Sequence, residues 1–317
     1  MSIVKLTATV PEELSGLRLD QLLAKLFTDY SRSRLQNWIK AGAVTVDNTV
    51  LKAKEKISTG QHIQIHAEIE DQTKWQAQNI KLTIVYEDAE LLVIDKPPGL
   101  VVHPAVGNAD NTLLNALLHY APELAEIPRA GIIHRLDKDT SGLLVIARTL
   151  ASHKYLVNEL KKHRIKREYE AIVSGVMISG GTVDLPIGRH PTQRIKMAVI
   201  ESGKPATTHY RVIERYRAHT RLKVILETGR THQIRVHLAH IHYPIVGDPV
   251  YGGRLKLAKG IGEDLRQCLI HCKRQALHAK RLALIHPKTK ELIEWKSSLP
   301  DDLEHLINVL REDLQHE

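Results

Sequence analysis

Between two apolar segments of this 317-residue chain lies a polar island, GIIHRLDKDTSGLLVIA, residues 131–147. Residues 143–147 read as a buried strand, and residues 131–133 are apolar as well. A chain seldom sets His134, Arg135, Asp137, Lys138 and Asp139 between core segments merely to fill a loop. An ionised Asp can attack an electrophilic carbon, and a neighbouring guanidinium favours the ionised form. Arg135 stands two residues from Asp137, and a second run, LETGRTHQIRVH, supplies Arg230 and Arg235. A structural ion pair uses the same residue types, and on spacing alone it is the simpler account. Asp137 and Asp139 could also form the acid and nucleophile of a glycoside-cleaving pair, but their i, i+2 spacing does not fix the distance between them.

Other chemistries find less support. Cys268, His271 and Cys272 are close in sequence, yet a tetrahedral zinc site usually needs two separated ligand pairs, and the chain has only these two cysteines. No metal is expected. HRLDKDTSG echoes a kinase catalytic loop, but that machinery needs a glycine-rich phosphate loop and an Asp-Phe-Gly, and the one Phe is Phe27. Walker and dinucleotide fingerprints are missing too, so no nucleotide cofactor is expected.

The elements that would position these residues follow from periodicity. Hydrophobic content of 43% and charged content of 26% suit a globular protein of about two domains, and no apolar run approaches the roughly 20 residues of a membrane span. With no apolar leader at the N-terminus, the expected compartment is the cytoplasm. Forty-five Lys and Arg against 36 Asp and Glu give +9, a sign that favours a polyanionic partner. Residues 1–16 read as an N-terminal extension. In RLDQLLAKLF, Leu19, Leu22, Leu23, Leu26 and Phe27 form one helix face; Ser31 or Ser33 can cap a second helix carrying Leu35, Trp38 and Ile39, ended by Gly42. AVTVDNTVL reads as strand, Asp-Asn turn, strand, with a further strand at HIQI. Arg32, Arg34 and Lys40 cluster on the second helix, a pattern that suits phosphate contact.

Residues 66–79 read as a linker. Beyond it, strands and helices intermix irregularly, which predicts an α+β fold with a mixed sheet. Asn111 can cap the helix TLLNALLHY, Thr149 one reaching about His163, and Thr231 the helix THQIRVHLAHI, where His232 and Arg235 share a face. LALIHPKTKELIEW suggests a hairpin, and Leu303, Leu306, Ile307, Leu310 and Leu314 mark a C-terminal helix that packs on the core.

Two resemblances sharpen this reading. SRSRLQNWIKAGAVTVD is the centre of a segment, residues 17–76, that resembles the S4 (αL-type) RNA-binding domain. HRLDKDTSGLLVIA, preceded by YEDAELLVIDKPPGLVVHP and followed by REYEAIVSG and LETGRTHQIRVHLAHIHYPIVGDPVYGG, resembles the RluA-type pseudouridine synthases, which implies a catalytic domain over residues 77–317. That resemblance implies a largely antiparallel mixed sheet flanked by helices, and cofactor-free isomerisation of uridine to pseudouridine. It implies Asp137 as nucleophile, Arg235 as its ion-pair partner, Tyr169 stacking on or deprotonating the base, and Arg135 displacing the nucleotide. At an ordinary pKa near 10, Tyr169 would be a poor neutral-pH base. His134, Arg164, Arg167 and Arg230 are the further expected RNA contacts, with 23S rRNA or an assembling large ribosomal subunit as partner, the helix 69 stem-loop as target, and a monomer as the active form. A non-catalytic S4-type RNA-binding or assembly factor is the alternative, and an N-glycosidase would share the first half of the chemistry.

Overall fold

The computed structural model describes residues 2–315 apart from 28–29, 31, 70–74, 106, 194, 256 and 259. The chain forms two compact units, Met1–Lys74 and Trp75–Glu317. Among the described residues no helix is long and apolar enough to cross a membrane.

The first unit comprises β1 (Ser2–Thr9), α1 (Leu19–Leu26), α2 (Arg32–Lys40), β2 (Val44–Val46), β3 (Thr49–Val50) and β4 (His62–Ile69), with sheet order β1-β4-β2-β3. Leu19, Leu22 and Leu23 of α1 and Leu35, Trp38 and Ile39 of α2 bury against Val44, Val46, Ile63 and Ile65. Each such side chain contributes about 1.5–3 kcal/mol through burial. Asp20, 1% exposed, latches the helix pair by accepting from Arg18, Arg32 and Gln36. Burial opposes its charge, but the hydrogen bonds from Arg32 and Gln36 and the two arginine charges win and hold its pKa below the usual carboxylate value. The Asp47-Asn48 turn has positive φ at both residues, as a two-residue hairpin demands.

Two boundaries differ from the sequence reading. The segment read as an N-terminal extension contributes a strand to the first unit's sheet, because β1 pairs antiparallel with β4 from Ser2↔Ile69 to Thr9↔His62. The linker accordingly does not begin at residue 66, where β4 still runs. Ser31, one of the two expected caps of α2, lies outside the described residues.

The second unit holds β5 (Thr83–Glu87), β6 (Leu91–Lys96), α3 (Leu113–Tyr120), β7 (Ser141–Ala147), α4 (Leu150–Lys161), β8 (Lys166–Ser174), β9 (Gly181–Asp184), β10 (Ile187–Arg189), β11 (Met197–Val199), β12 (Thr207–Arg215), β13 (His219–Leu226), α5 (Gln233–His240), α6 (Glu263–His271), β14 (Leu277–Ile285), β15 (Leu292–Lys296) and α7 (Asp301–Gln315). Among the described residues nine strands form one sheet in the order β5-β6-β7-β14-β8-β13-β12-β9, with β15 beside β14, and β10-β11 make a separate ribbon. Of the strand pairings among the described residues only β7–β14 is parallel, so the fold is α+β with a mixed, largely antiparallel sheet. The central strand β7 is buried along its whole length. Leu144 and Ile146 face one core, with α3, α5, α6 and α7; Leu143, Val145 and Ala147 face the other, with Leu156 of α4 and Trp295 of β15. A strand covered on both faces reads as a continuous apolar run, which is why LLVIA stands out.

The caps at two helices shift. Thr112, not Asn111, starts α3, its N–H and hydroxyl both donating to Asn115 Oδ1, while Asn111 turns the chain at φ 54°. Thr149 does cap α4, accepting from Ser152 N–H at 3.0 Å. In α7, Leu303, Leu306, Ile307 and Leu310 are buried, whereas Leu314 is 42% exposed and Val309 takes a core position instead.

Candidate active site

The polar island is a rigid loop. It leaves the core where Ile132 bridges Ile146 and re-enters it at Ser141, the first residue of β7. Gly131 permits that departure: at φ 75° it approaches β7 so closely that a Cβ there would lie 2.0 Å from the Ala147 carbonyl oxygen. Successive carbonyls of the loop are then tied down. Asp137 O accepts from Thr140 N–H, Lys138 O from Gly99 N–H and Lys96 Nζ, and Asp139 O from Arg274 Nη1. Lys96 is wholly buried and also donates to Pro97 O and Leu100 O, so all three of its protons are used. Burial pushes its pKa down to about 7, against the pull of Asp139 and Asp137. The sequence reading passed over this lysine, which ends an apolar strand and looks like a surface residue there.

Asp137 meets Arg235 across 98 positions of sequence. Arg235 Nη1 donates to Asp137 Oδ2 at 2.9 Å, while Nε and Nη2 of the same guanidinium make a bidentate pair with Asp248 at 2.7 and 2.8 Å. Asp248 is fully enclosed, and its Oδ1 also accepts from Val250 and Tyr251 N–H. Burial disfavours charge on both partners, but their paired hydrogen bonds outweigh it, holding Asp248 below and Arg235 above their ordinary pKa values. The Tyr251 ring lies 5.1 Å from the guanidinium carbon. One arginine therefore anchors on Asp248 and presents its remaining N–H to Asp137. Oδ1 of Asp137 has no hydrogen-bond donor among the described residues; His232 Nε2 lies 4.0 Å from it.

These groups open into a cleft of about 780 Å³, large enough for a nucleotide, whose lining includes Arg129, Arg135, Lys161, Arg167, Arg230 and Arg235 against Asp137 and Glu227. Six cations facing two acids make it a seat for an anion. Tyr169 of β8 lines it, 5% exposed and with no hydrogen bond to its hydroxyl among the described residues. Burial, reinforced by the Asp137 charge and opposed by Arg167, raises its pKa further above 10. Among the described residues no group of three His, Cys, Asp or Glu side chains is placed to hold a metal, and Cys268 and Cys272 are free thiols whose pKa burial raises.

Residues 90–240 match the family described as RNA pseudouridylate synthase, and residues 17–63 match the S4 domain. The ribosomal large subunit pseudouridine synthase D of Pseudomonas aeruginosa is 56% identical over 98% of this chain and 97% of its own length. This chain belongs to the RNA pseudouridylate synthase family. The protein of the same name from Haemophilus influenzae is 53% identical to this family member over 100% of its chain and 98% of the relative. Among solved structures, human RNA pseudouridylate synthase domain containing 4 aligns with TM-score 0.57 and 27% identity, covering 72% of this chain and 93% of that one.

In this pseudouridylate synthase family member the expected site residues divide by position. Asp137, Arg235 and Tyr169 converge on the cleft, with Arg135 exposed in its wall and making no hydrogen bond or ion pair among the described residues. Arg230 also reaches it while donating to Pro205 O. His134 lines the cleft but its Nε2 accepts from Val145 N–H at 3.3 Å, and burial, aided by Arg167, lowers its pKa to about 3. The backbone holds this neutral ring in the cleft wall, where it supports the loop. Arg167 also lines the cleft, 5% exposed beside Tyr169 and donating to Glu227 O. Alternation along β8 turns it inward while Lys166 faces out. Arg164 is exposed and paired with Glu159, outside the cleft lining. In the first unit Arg32 bonds Asp20 and Lys40 is exposed; Arg34 is half-buried.

Helix α5 begins later than Thr231. His232 occupies the N-cap in the left-handed region, φ 56°, and Gln233 Oε1 accepts from Arg230 N–H. Sequence reasoning missed Asp248 because nothing in VGDPVYGG ties it to Arg235 thirteen residues earlier. Its one signal was a carboxylate enclosed by apolar residues and glycines, a charge that burial forbids unless it is paired.

Proposed function

We propose that this protein isomerises uridine to pseudouridine in 23S rRNA, free or in an assembling large ribosomal subunit, with the helix 69 stem-loop as target. The observation that carries the reading is the tether Asp248–Arg235–Asp137, which aims one unengaged carboxylate oxygen into a cationic cleft. The names of its relatives support the choice of RNA. The reaction breaks the ribose C1′–N1 bond and forms C1′–C5, with no change of redox state and no need for a cofactor. Asp137 starts it; attack at C1′, attack at uracil C6 and formation of a glycal can all begin from the free Oδ1. Arg235 holds the carboxylate in place. Tyr169 forms an apolar platform for the base, and its raised pKa suits it to stacking rather than to taking a proton. A stacked uridine must be flipped out, and Arg135, planar and unpaired, can fill the vacancy.

Mapping pseudouridines by carbodiimide chemistry in rRNA from cells with and without the gene tests this reading. Loss of modification confined to helix 69 is the expected outcome. An unchanged map would refute it, and abasic sites in place of pseudouridine would turn the assignment to an N-glycosidase. The intact cleft argues against the alternative of a non-catalytic binding factor.

The S4 unit would add phosphate contacts through Arg32, Arg34 and Lys40. Met1–Lys74 and Trp75–Glu317 each carry their own core. Deletion of the S4 unit should weaken RNA binding and flatten its dependence on salt while leaving measurable turnover. Equal affinity and equal salt slope for the two forms, measured by filter binding, would remove the unit from the RNA interface.

A further inference from the structure

The isomerisation ends with a proton to be removed, and Tyr169, Arg235 and His134 are poor at removing it. Once uracil C5 has bonded to ribose C1′, C5 carries both the sugar and its original hydrogen, and the ring holds an N1=C6 double bond. C5 is then one bond from the atom on which Asp137 acts. Its acceptor must therefore lie within a few ångströms of the Asp137 carboxylate, hydrogen-bond reach being about 2.6–3.2 Å. Tyr169 is kept protonated by burial, Arg235 is a permanent cation, and His134 Nε2 is occupied by a backbone N–H.

His232 meets the requirement. Its Nε2 is 4.0 Å from Asp137 Oδ1, the oxygen that Arg235 leaves free. Its Nδ1 lies 2.8 Å from Tyr251 Oη, which itself accepts from Met197 N–H at 2.9 Å. The tautomer this role requires has Nδ1–H donating to Tyr251 Oη, which leaves the lone pair on Nε2, in a ring that lines the cleft. The ring also packs edge-on against Tyr251, 5.6 Å between centroids. Backbone strain is spent on this placement: φ is 56° at a residue that is not glycine, a conformation costing about 1–3 kcal/mol where surrounding structure enforces it. The charged and titratable groups around it are Asp137, Arg235, Arg135, Asp248 and Tyr251. Burial, opposed by Asp137 and Asp248 and aided by Arg235 and Arg135, keeps its pKa below the usual imidazole value, so the ring is neutral at pH 7.

We infer that His232 is a further catalytic residue, the base that takes the C5 proton after the sugar has been reattached; the inference rests on the pseudouridine synthase reading above. Nε2 takes the proton, and the C5–H electron pair becomes the C5=C6 bond. The N1=C6 pair moves to N1, which takes a proton from the imidazolium or from water. Nothing is oxidised or reduced.

The experiment compares a 23S rRNA transcript carrying ordinary uridine with one deuterated at uridine C5, using full-length protein. His232→Asn keeps a residue type that tolerates positive φ. Its kcat should fall on the order of 10²-fold with KM little changed, since a general base contributes about 10²–10⁴-fold. Its deuterium isotope effect should exceed that of the wild type, and added imidazole should restore part of the rate to His232→Gly. Wild-type rates in both variants would overturn the inference, as would slowing with neither isotope effect nor rescue. An enlarged isotope effect in Tyr169→Phe but not in His232→Asn would overturn it too. Wild-type protein and Asp137→Asn run beside them keep the two claims apart. If the wild type converts the transcript and Asp137→Asn does not, a negative result at His232 defeats this inference alone; if the wild type makes no pseudouridine, the function itself fails.

Discussion

Asp137→Asn should give a protein that folds, binds RNA and makes no detectable pseudouridine, a loss of about 10⁴-fold or more in turnover. Asn keeps the shape of the side chain but is neither an anionic nucleophile nor a proton acceptor. Arg235 keeps two of its three hydrogen bonds, both to Asp248, so the buried cation remains paired and the fold should lose little. Removing a negative charge from a cleft lined by six Lys or Arg cannot weaken its hold on phosphate, and binding should be equal or slightly tighter. Product analysis by mass spectrometry and affinity by filter binding read the two effects separately. Turnover within tenfold of the wild type would end the case for Asp137 as the initiating group, whichever of the three routes it was to follow.

The same carboxylate shows where sequence reading succeeds and where it stops. HRLDKDTSG followed by an all-apolar strand announced a rigid polar loop, and β7 is buried on both faces as LLVIA implies. What the residues could not show was distance. Asp137 and Arg235 lie 98 positions apart, and only the family resemblance brought them together before the structure did. By spacing, Asp139 was as good a candidate as Asp137; in the structure its carbonyl is held by Arg274, and of the two it is Asp137 that accepts from Arg235. Asp248, Lys96 and Tyr251 went unread because each acts through partners from remote segments or through backbone carbonyls. The segment ahead of α1 was misjudged although β1 alternates cleanly, Val4, Leu6 and Ala8 against Lys5, Thr7 and Thr9, because its partner β4 is some sixty residues away. Local signals fared according to the competition they met. Thr149 caps α4 as expected, but at α5 the Gln233 side chain and a left-handed His232 displace Thr231.

Asp248→Ala should cost more stability than any substitution in the loop itself. The change strips Arg235 of two of its three hydrogen bonds and leaves the Val250 and Tyr251 N–H groups without their acceptor. Removing one member of a buried ion pair typically costs about 3–5 kcal/mol, because the remaining charge stays buried and uncompensated. The denaturation midpoint in urea should fall accordingly. Activity at low temperature, where the variant is still folded, should fall as well, because an unanchored guanidinium no longer fixes Asp137. The double variant Asp248→Leu, Arg235→Met separates the two roles. With both charges gone the buried penalty disappears, so much of the lost stability should return, while turnover stays low for want of the partner to Asp137. Stability and activity recovering together would mean that the tether only fills space. A midpoint unchanged in Asp248→Ala would mean that water or a shifted neighbour replaces the carboxylate, and that Arg235 needs no anchor to do its work.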